Sequence, residues 1–364
     1  MTYSTRIGVI GLGSVSESYI PHVRRLPLEG VPCEIVVACD LRASQRARAE
    51  AHQIPDFTTD PAEVIGRKDV DLVMILTAMP SHGPLALAAL KAGKHVLLEK
   101  PMSIDLAEAS EILALSNTSA GNLVCAPHVT LSPVYREISQ RIANGEIGRP
   151  LTARGLYGWA GPDWASWFYE PGGGPMFDLG VYNITTLTGL LGPAKRVVAF
   201  GTTALPERMI GDRKIKVEIE DNVHLLIEFD GGCIASIATG FTMQKYRTPG
   251  IEIYGSKGTV QMIGEDWGPQ GYELWRNDRA CWEVHELGGA WRWTDGIRDL
   301  IQSAQEGRKP VNAPDHAFHV LEVMSKCHES ILTGRAIDIA STFTPLVFEN
   351  RAAPLAPHLD HAPS

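Results

Sequence analysis

Through the first third of the chain, short apolar runs alternate with longer stretches of helical period. Arg6–Ile10, Glu34–Cys39, Asp69–Leu76, Val96–Leu98 and Asn122–Ala126 read as buried strands. Between them Glu17–Arg25, Ala43–His52, Pro84–Ala92 and Leu106–Ser116 read as helices, the third stopped by Gly93. Apolar strands alternating with helices at this spacing predict right-handed βαβ units and a doubly wound parallel sheet. After Pro127 the character changes. Ser132–Asn144 reads as a helix, and from Leu151 the period falls to two. Leu151–Tyr157, Arg196–Thr202, Val223–Phe229, Cys233–Ala238, Ile251–Tyr254, Thr259–Ile263, Tyr272–Arg276 and Ala280–His285 are candidate strands. Asp230-Gly231-Gly232, Gly255-Ser256-Lys257-Gly258 and Asn277-Asp278 are hairpin-turn sequences, so this half predicts an open antiparallel sheet. Two helices, Asp295–Gln305 and Asp315–Thr333, close this second domain.

The predicted organisation is therefore α/β. A doubly wound domain spans 1–127, and an α+β domain with a large, mostly antiparallel open sheet spans 128–345. Residues 346–364 form a tail rich in Pro, Ala and His, either loose or draped over a neighbouring subunit. A length of 364 residues suits two cores better than one.

The first strand runs directly into Gly11-Leu12-Gly13-Ser14-Val15-Ser16 and a helix. This is a G-x-G-x-x-G pattern with Ser in the third place. Gly11 permits the tight turn, and Gly13 lets a pyrophosphate approach the backbone of Ser14 and Val15 at the helix N-terminus. The second strand ends at Asp40, at the spacing of an acidic residue that bonds the adenine ribose; the competing reading is a helix N-cap. A carboxylate there favours NAD over NADP, whereas Arg42, two residues on, would suit a 2′-phosphate. No second glycine fingerprint appears, so one dinucleotide is expected. A later strand ends at Glu99-Lys100-Pro101, where a Lys would reach a ligand bound outside the carboxyl ends of a parallel sheet. Taken alone, that stretch reads equally as a solvated Glu-Lys pair. Gly172-Gly173-Gly174 leads into a helix in which Asp178 and Tyr182 are four apart and share a face. Upstream, Trp159, Trp164, Trp167, Phe168 and Tyr169 crowd together with Asp163, as a sugar platform or as a core or interface patch.

Net charge is -9, which argues against nucleic acid or an anionic membrane as the main partner. No apolar run is long enough to span a bilayer. The N-terminus shows no signal-peptide pattern. Six scattered cysteines form no Cys-x-x-Cys pair, so no zinc or redox site is expected and the protein reads as reduced and cytoplasmic.

Gly11-x-Gly13 after a strand, Asp40, Ala89-Leu90-Lys91-Ala92-Gly93-Lys94-His95-Val96 and Glu99-Lys100-Pro101 together resemble the glucose-fructose oxidoreductase / inositol dehydrogenase / MocA family, over nearly the whole chain. The resemblance implies a Rossmann domain, one nicotinamide cofactor (NAD, with NADP as the alternative) and Lys100 beside the nicotinamide and substrate. It carries Thr77, His82 and Glu99 over as cofactor contacts, although Thr77-Ala78-Met79 departs from the family's Thr-Pro-Asn. Thr130 stands where relatives often carry Arg, which leaves His128 either to contact substrate instead or to be a surface His. The Gly-Gly-Gly…Asp-x-Gly-x-His pattern is matched with Tyr182 in place of His, as in the branch containing glucose-fructose oxidoreductase and dimeric dihydrodiol dehydrogenase. The implied substrate contacts are Lys100, His128, Trp167, Asp178 and Tyr182. The implied reaction moves a hydride between a secondary alcohol and the cofactor, with Tyr182, Lys100 or both handling the proton. A nearby ammonium would favour the phenolate and lower the Tyr182 pKa. Asp178 would bind a hydroxyl and orient Lys100. The implied substrate is a sugar, sugar derivative or cyclitol. Competing readings are NADP-linked ketone or dihydrodiol chemistry, and a non-catalytic dinucleotide-binding regulator. A free sheet face implies a homodimer or homotetramer.

Overall fold

A computed structural model describes residues 4–287, 291–346 and 348. The first sheet is built from β1 (Thr5–Ile10), β2 (Cys33–Cys39), β3 (Asp56–Thr58), β4 (Leu72–Ile75), β5 (His95–Leu98) and β6 (Leu123–Cys125). Every pairing is parallel, in the order β3-β2-β1-β4-β5-β6. The crossovers are α1 (Ser16–Arg25), α2 (Arg46–Ala51), α3 (Pro61–Gly66), α4 (His82–Lys91) and α5 (Leu106–Ser116). Asp105 starts α5 by accepting from the Glu108 N–H at 2.8 Å, which satisfies one of the donors a helix start leaves open. The strand order reverses between β1 and β4, so the ligand crevice of such a sheet lies at their carboxyl ends. The sequence pattern anticipated five of these strands. It missed β3 and α3, which are only three and six residues long.

The second half runs α6 (Pro133–Ala143), β7 (Pro150–Gly158), α7 (Val181–Leu191), β8 (Ala194–Thr202), β9 (Glu207–Ile210), β10 (Arg213–Lys216), β11 (Asn222–Phe229) and β12 (Ile234–Gly240). It continues with β13 (Ile251–Gly255), β14 (Gly258–Glu265), β15 (Gly268–Arg276), β16 (Cys281–Glu286), α8 (Gly296–Glu306), α9 (Pro314–Thr333) and β17 (Ile337–Asp338). Nine of these strands form one sheet, β16-β15-β14-β13-β7-β12-β11-β8-β17. It is mixed: β7 and β12 are parallel and the other pairs antiparallel.

β1, β4, β5 and β6 are buried almost throughout, as strands covered on both faces are. One face, with Ile7, Val9, Leu72, Met74, Leu97 and Val124, packs on Tyr19, Ile20 and Val23 of α1. Ile297, Leu300 and Ile301 of α8 complete that layer. The expectation that α8 closes the second domain is therefore corrected: it returns to the Rossmann sheet. Its three aliphatic side chains are fully buried there, worth about 1.5–3 kcal/mol each. The other face joins the inner face of the nine-stranded sheet in one continuous core through α9. Among the described residues the outer face of the large sheet leaves Phe200 78% exposed, and Leu226 and Ile234 of the same face are exposed too. Of the tail expected at 346–364, all but residues 346 and 348 lie outside the described residues.

Candidate active site

The residues singled out in the first half sit where their strands end. Gly11 follows β1, Asp40 follows β2, Thr77 lies just past β4, and Glu99 and Lys100 follow β5. All four strands point the same way, so these residues line one crevice. Gly11 has φ +100, and a Cβ there would lie 2.6 Å from the Leu76 carbonyl oxygen, so only glycine fits this turn. A Cβ on Gly13 would meet nothing within 4 Å: the loop presents open backbone, a cradle fit for a pyrophosphate above the N-terminus of α1.

Asp40 does not cap the following helix. Its Oδ2 accepts from the Leu12 N–H at 3.0 Å, inside the glycine loop, and its Oδ1 accepts from the Arg42 N–H at 3.0 Å. The Arg42 guanidinium lies across the same carboxylate, with Nε 3.0 Å from Oδ1 and Nη2 3.2 Å from Oδ2. Burial pushes the Asp40 pKa up, but these donors outweigh it and hold the carboxyl below its usual range.

At the other end of the crevice three side chains from distant parts of the chain converge. Lys100 Nζ lies 2.8 Å from Asp178 Oδ1, 2.7 Å from the Asp178 carbonyl oxygen and 5.2 Å from the centre of the Tyr182 ring. The ion pair is largely buried, with side-chain exposures of 12% and 16%. The Gly172-Gly173-Gly174 entry does not lead straight into an α-helix. Met176–Gly180 forms a π-turn before α7 begins. Such turns loosen the helical ladder and recur at functional sites. Here the turn presents both the carboxylate and the carbonyl of Asp178 to one ammonium.

The expected lowering of the Tyr182 pKa is overturned. Burial raises it well above 10, and the Glu99, Asp178 and Asp266 carboxylates raise it further. The Lys100 ammonium is bonded to Asp178 and faces the flat of the Tyr182 ring. Tyr182 therefore holds its proton through the neutral range.

Several expected contacts are placed elsewhere. His82 is buried, with its ring nitrogens 2.7 and 3.0 Å from the carbonyl oxygens of Pro101 and Thr77. It ties the β4 and β5 loops together. The Thr77 hydroxyl accepts from Ser81 Oγ at 2.7 Å. Glu99 is buried; its carboxylate accepts from the Tyr19 hydroxyl at 2.9 Å and the Lys100 N–H at 3.1 Å. His128 is neither a surface His nor a group facing substrate. It is buried behind Glu99, with Nε2 3.2 Å from the Tyr19 hydroxyl and Nδ1 3.3 Å from Asn312 Nδ2. Burial lowers its pKa to about 3, so it is neutral. Trp167 is stacked on Phe168, ring centres 3.7 Å apart, within the packed aromatic cluster. Trp159 instead lines a cleft of about 320 Å³ whose wall includes Tyr157, and Tyr157 packs edge-on against Tyr182 at 5.8 Å.

Reading the sequence missed Tyr19, Tyr157 and Asp266. Asp266 is fully buried beside α7 and accepts from Asn183 Nδ2 and Thr186 Oγ1, each at 2.7 Å. Burial lifts it to about 6 against those two bonds. Tyr19 sits at an apolar position of an apolar helical stripe, and nothing local marks its hydroxyl as a partner for residue 99. Among the described residues no cluster of potential metal ligands occurs. No helix of the structure is long and apolar enough to cross a membrane.

Residues 5–125 match the family described as "Oxidoreductase family, NAD-binding Rossmann fold", and residues 135–261 match the "GFO/IDH/MocA C-terminal domain". The chain belongs to the Gfo/Idh/MocA oxidoreductase family. A 1,5-anhydro-D-fructose reductase of Ensifer adhaerens is 29% identical over 262 residues, 70% of this chain and 74% of that protein. A trans-1,2-dihydrobenzene-1,2-diol dehydrogenase of Bos taurus is 26% identical over 271 residues, 72% of this chain and 76% of its own. A levoglucosan dehydrogenase solved with NADH and levoglucosan superposes with a TM-score of 0.83 at 22% identity, over 93% of this chain and all of that one. At that identity the superposition establishes the shared fold. The family match gives this Gfo/Idh/MocA chain an NAD-binding Rossmann domain, so its cofactor is NAD, with NADP as the alternative.

Proposed function

We propose that this chain moves a hydride between the nicotinamide of NAD and a secondary alcohol or ketone of a sugar, sugar derivative or cyclitol. The observation that carries this reading is the convergence of Lys100, Asp178 and Tyr182 at the carboxyl end of β5. Bound NAD(H) supplies the hydride chemistry, accepting or giving two electrons with one hydrogen. Gly11, Gly13, Ser14, Val15 and Asp40 hold it, with Arg42 and Thr77 at its edges. Lys100 stabilises negative charge on the substrate oxygen, an effect strengthened by its burial. Asp178 fixes the ammonium and accepts from a neighbouring hydroxyl. Tyr182, protonated at neutral pH, donates to the oxygen when a ketone is reduced and must lose that proton before it takes one from an alcohol. The sugar preference is supported by the anhydrofructose reductase relative. The dihydrodiol dehydrogenase relatives favour the alternative, a cyclic diol. Tyr182 suits either, because both offer a ring-borne secondary hydroxyl.

Residues 1–127 together with α8 form the cofactor part of this reading and 128–345 the rest. The bare face of the large sheet supports a homo-oligomer, because an exposed apolar patch on a two-layer fold is usually an interface. Phe200→Asp should lower the particle mass measured by light scattering; an unchanged mass rejects this face. The cysteines resolved in the structure are all free thiols, which fits a cytoplasmic location.

Lys100→Ala separates an enzyme from a regulator. Turnover of a sugar and polyol panel, followed by NADH absorbance, should fall by about a thousandfold or more, while NADH titration keeps its affinity within about threefold. Full turnover by the variant, or no dinucleotide uptake by the wild type, would refute the reading.

A further inference from the structure

The convergence of Lys100, Asp178 and Tyr182 does not fill the space around it. Beyond Tyr157 lies the cleft of about 320 Å³, within the size range of small-molecule sites. None of the three convergent residues lines it. A sugar ring whose hydroxyl is presented to Tyr182 therefore leaves this space for whatever the ring is attached to. Resting on the sugar reading above, we propose that the cleft is a subsite for a second pyranose ring, so that the preferred substrate is a glycoside rather than a free monosaccharide.

The wall chemistry carries the assignment. Tyr157, Trp159, Tyr246 and Trp267 contribute four aromatic side chains, and Lys245 and Glu265 contribute a donor and an acceptor. A pyranose ring has the matching surface: C–H faces that pack on aromatic rings, and an edge of hydroxyls that both donate and accept. A purely apolar aglycone would leave Lys245 and Glu265 without a role, whereas the hydroxyls of a sugar can accept from the one and donate to the other. The cleft is also tied to the reacting end. Tyr157 packs on Tyr182 at 5.8 Å.

The walls are held in place from behind. Asp266, between Glu265 and Trp267, is bonded to Asn183 and Thr186 of α7, the helix that carries Tyr182. The turn joining β14 to β15 is thereby pinned one residue from the phenol. On the opposite side Met243 N–H donates to the Trp159 carbonyl at 3.1 Å, anchoring the segment that carries Lys245 and Tyr246. A cleft built on two anchored walls can register the second ring relative to the first, which is what placing a chosen carbon at the cofactor requires.

The test compares glucose with cellobiose and maltose, using NAD and following NADH absorbance. One of the disaccharides should show a kcat/KM about tenfold or more above glucose. In Trp267→Ala and, separately, Lys245→Ala, the disaccharide-to-glucose ratio should fall about tenfold. Equal kcat/KM for glucose and both disaccharides in the wild type, or a ratio unmoved in both variants, overturns the subsite. A second readout covers the case in which no panel sugar is oxidised. Cellobiose or maltose should quench tryptophan fluorescence of the NADH-bound protein, and the quench should weaken in Lys245→Ala, which keeps every tryptophan. Quenching without oxidation sinks the sugar-oxidation reading and leaves the subsite standing; absence of quenching by both sugars sinks the subsite.

Discussion

The two ends of the crevice each hold a carboxylate against a cation at close range, yet they are different devices. At the glycine-loop end Arg42 lies 3.0 Å from a buried Asp40, and only the Arg side chain, 62% exposed, reaches water. At the π-turn end Lys100 lies 2.8 Å from Asp178 with both side chains mostly buried. A pair whose cation stands in water is weakened by water and salt, and the long side chain gives up freedom to make it. A buried pair is costly to break, because removing one partner strands the other charge away from water. The first arrangement can open for an incoming ligand. The second is fixed in advance, which suits a group that must stabilise charge at the moment of reaction.

The largest effect should come from the fixed end. Tyr182→Phe keeps the ring against Tyr157 and Lys100 and removes only the hydroxyl that carries the proton. Turnover should fall about 10²–10⁴-fold, with dinucleotide affinity unchanged in a fluorescence titration. The sign of the pH dependence follows from the raised phenol pKa. In the wild type, ketone reduction should stay level across the neutral range, because the donor is protonated. Alcohol oxidation should climb as pH rises toward the phenol pKa. A Tyr182→Phe enzyme that retains that climb would assign the proton to Lys100 instead.

How much of this was legible in the sequence follows the same division. Gly11, Asp40 and Lys100 could be read because each ends an apolar strand of a parallel sheet, and topology alone then brings strand ends together. Asp178 and Tyr182 could be paired with each other by helical spacing, but only the resemblance to relatives placed them with Lys100, 78 residues earlier in the chain. The π-turn could not be read, because its residues, Met176–Gly180, have ordinary helical composition. Nor could the Glu99–Tyr19–His128 stack, since each bond joins elements brought together only by tertiary packing. His128 was misread for that reason. A His in a loop is exposed by default, and here α8 folds back over it so closely that a Cβ on Gly296 would strike its ring at 2.3 Å. The β9–β10 hairpin was passed over because its strands, Glu207–Ile210 and Arg213–Lys216, are short and heavily charged.

A smaller effect is expected from Asp40→Ala at the exposed end. The variant loses the acceptor for a ribose hydroxyl and the bond to the Leu12 N–H that shapes the glycine loop. Hydrogen bonds to a charged group are worth about 1.5–3 kcal/mol, so NAD affinity should drop roughly 10- to 100-fold. NADP affinity should drop less, because the repelling carboxylate is gone and Arg42 is released. Isothermal titration with both dinucleotides measures the difference; a parallel loss for the two would show that Asp40 supports the loop alone.

The smallest effect is the most discriminating for the comparison. In the structure the Asp40 carboxylate accepts from Leu12 N–H, Arg42 N–H and two guanidinium nitrogens, which uses both oxygens fully. A ribose hydroxyl can bond to it only if the guanidinium swings away, leaving the two backbone donors in place. Arg42→Ala removes the competitor without touching those donors. Arg42 no longer has to be swung out into water, so NAD should bind the variant several-fold more tightly. NADP should bind more weakly, having lost a cation for its 2′-phosphate. If Arg42→Ala instead weakened NAD tenfold, the guanidinium would be a direct adenosine contact, and the exposed end would be as preorganised as the buried one.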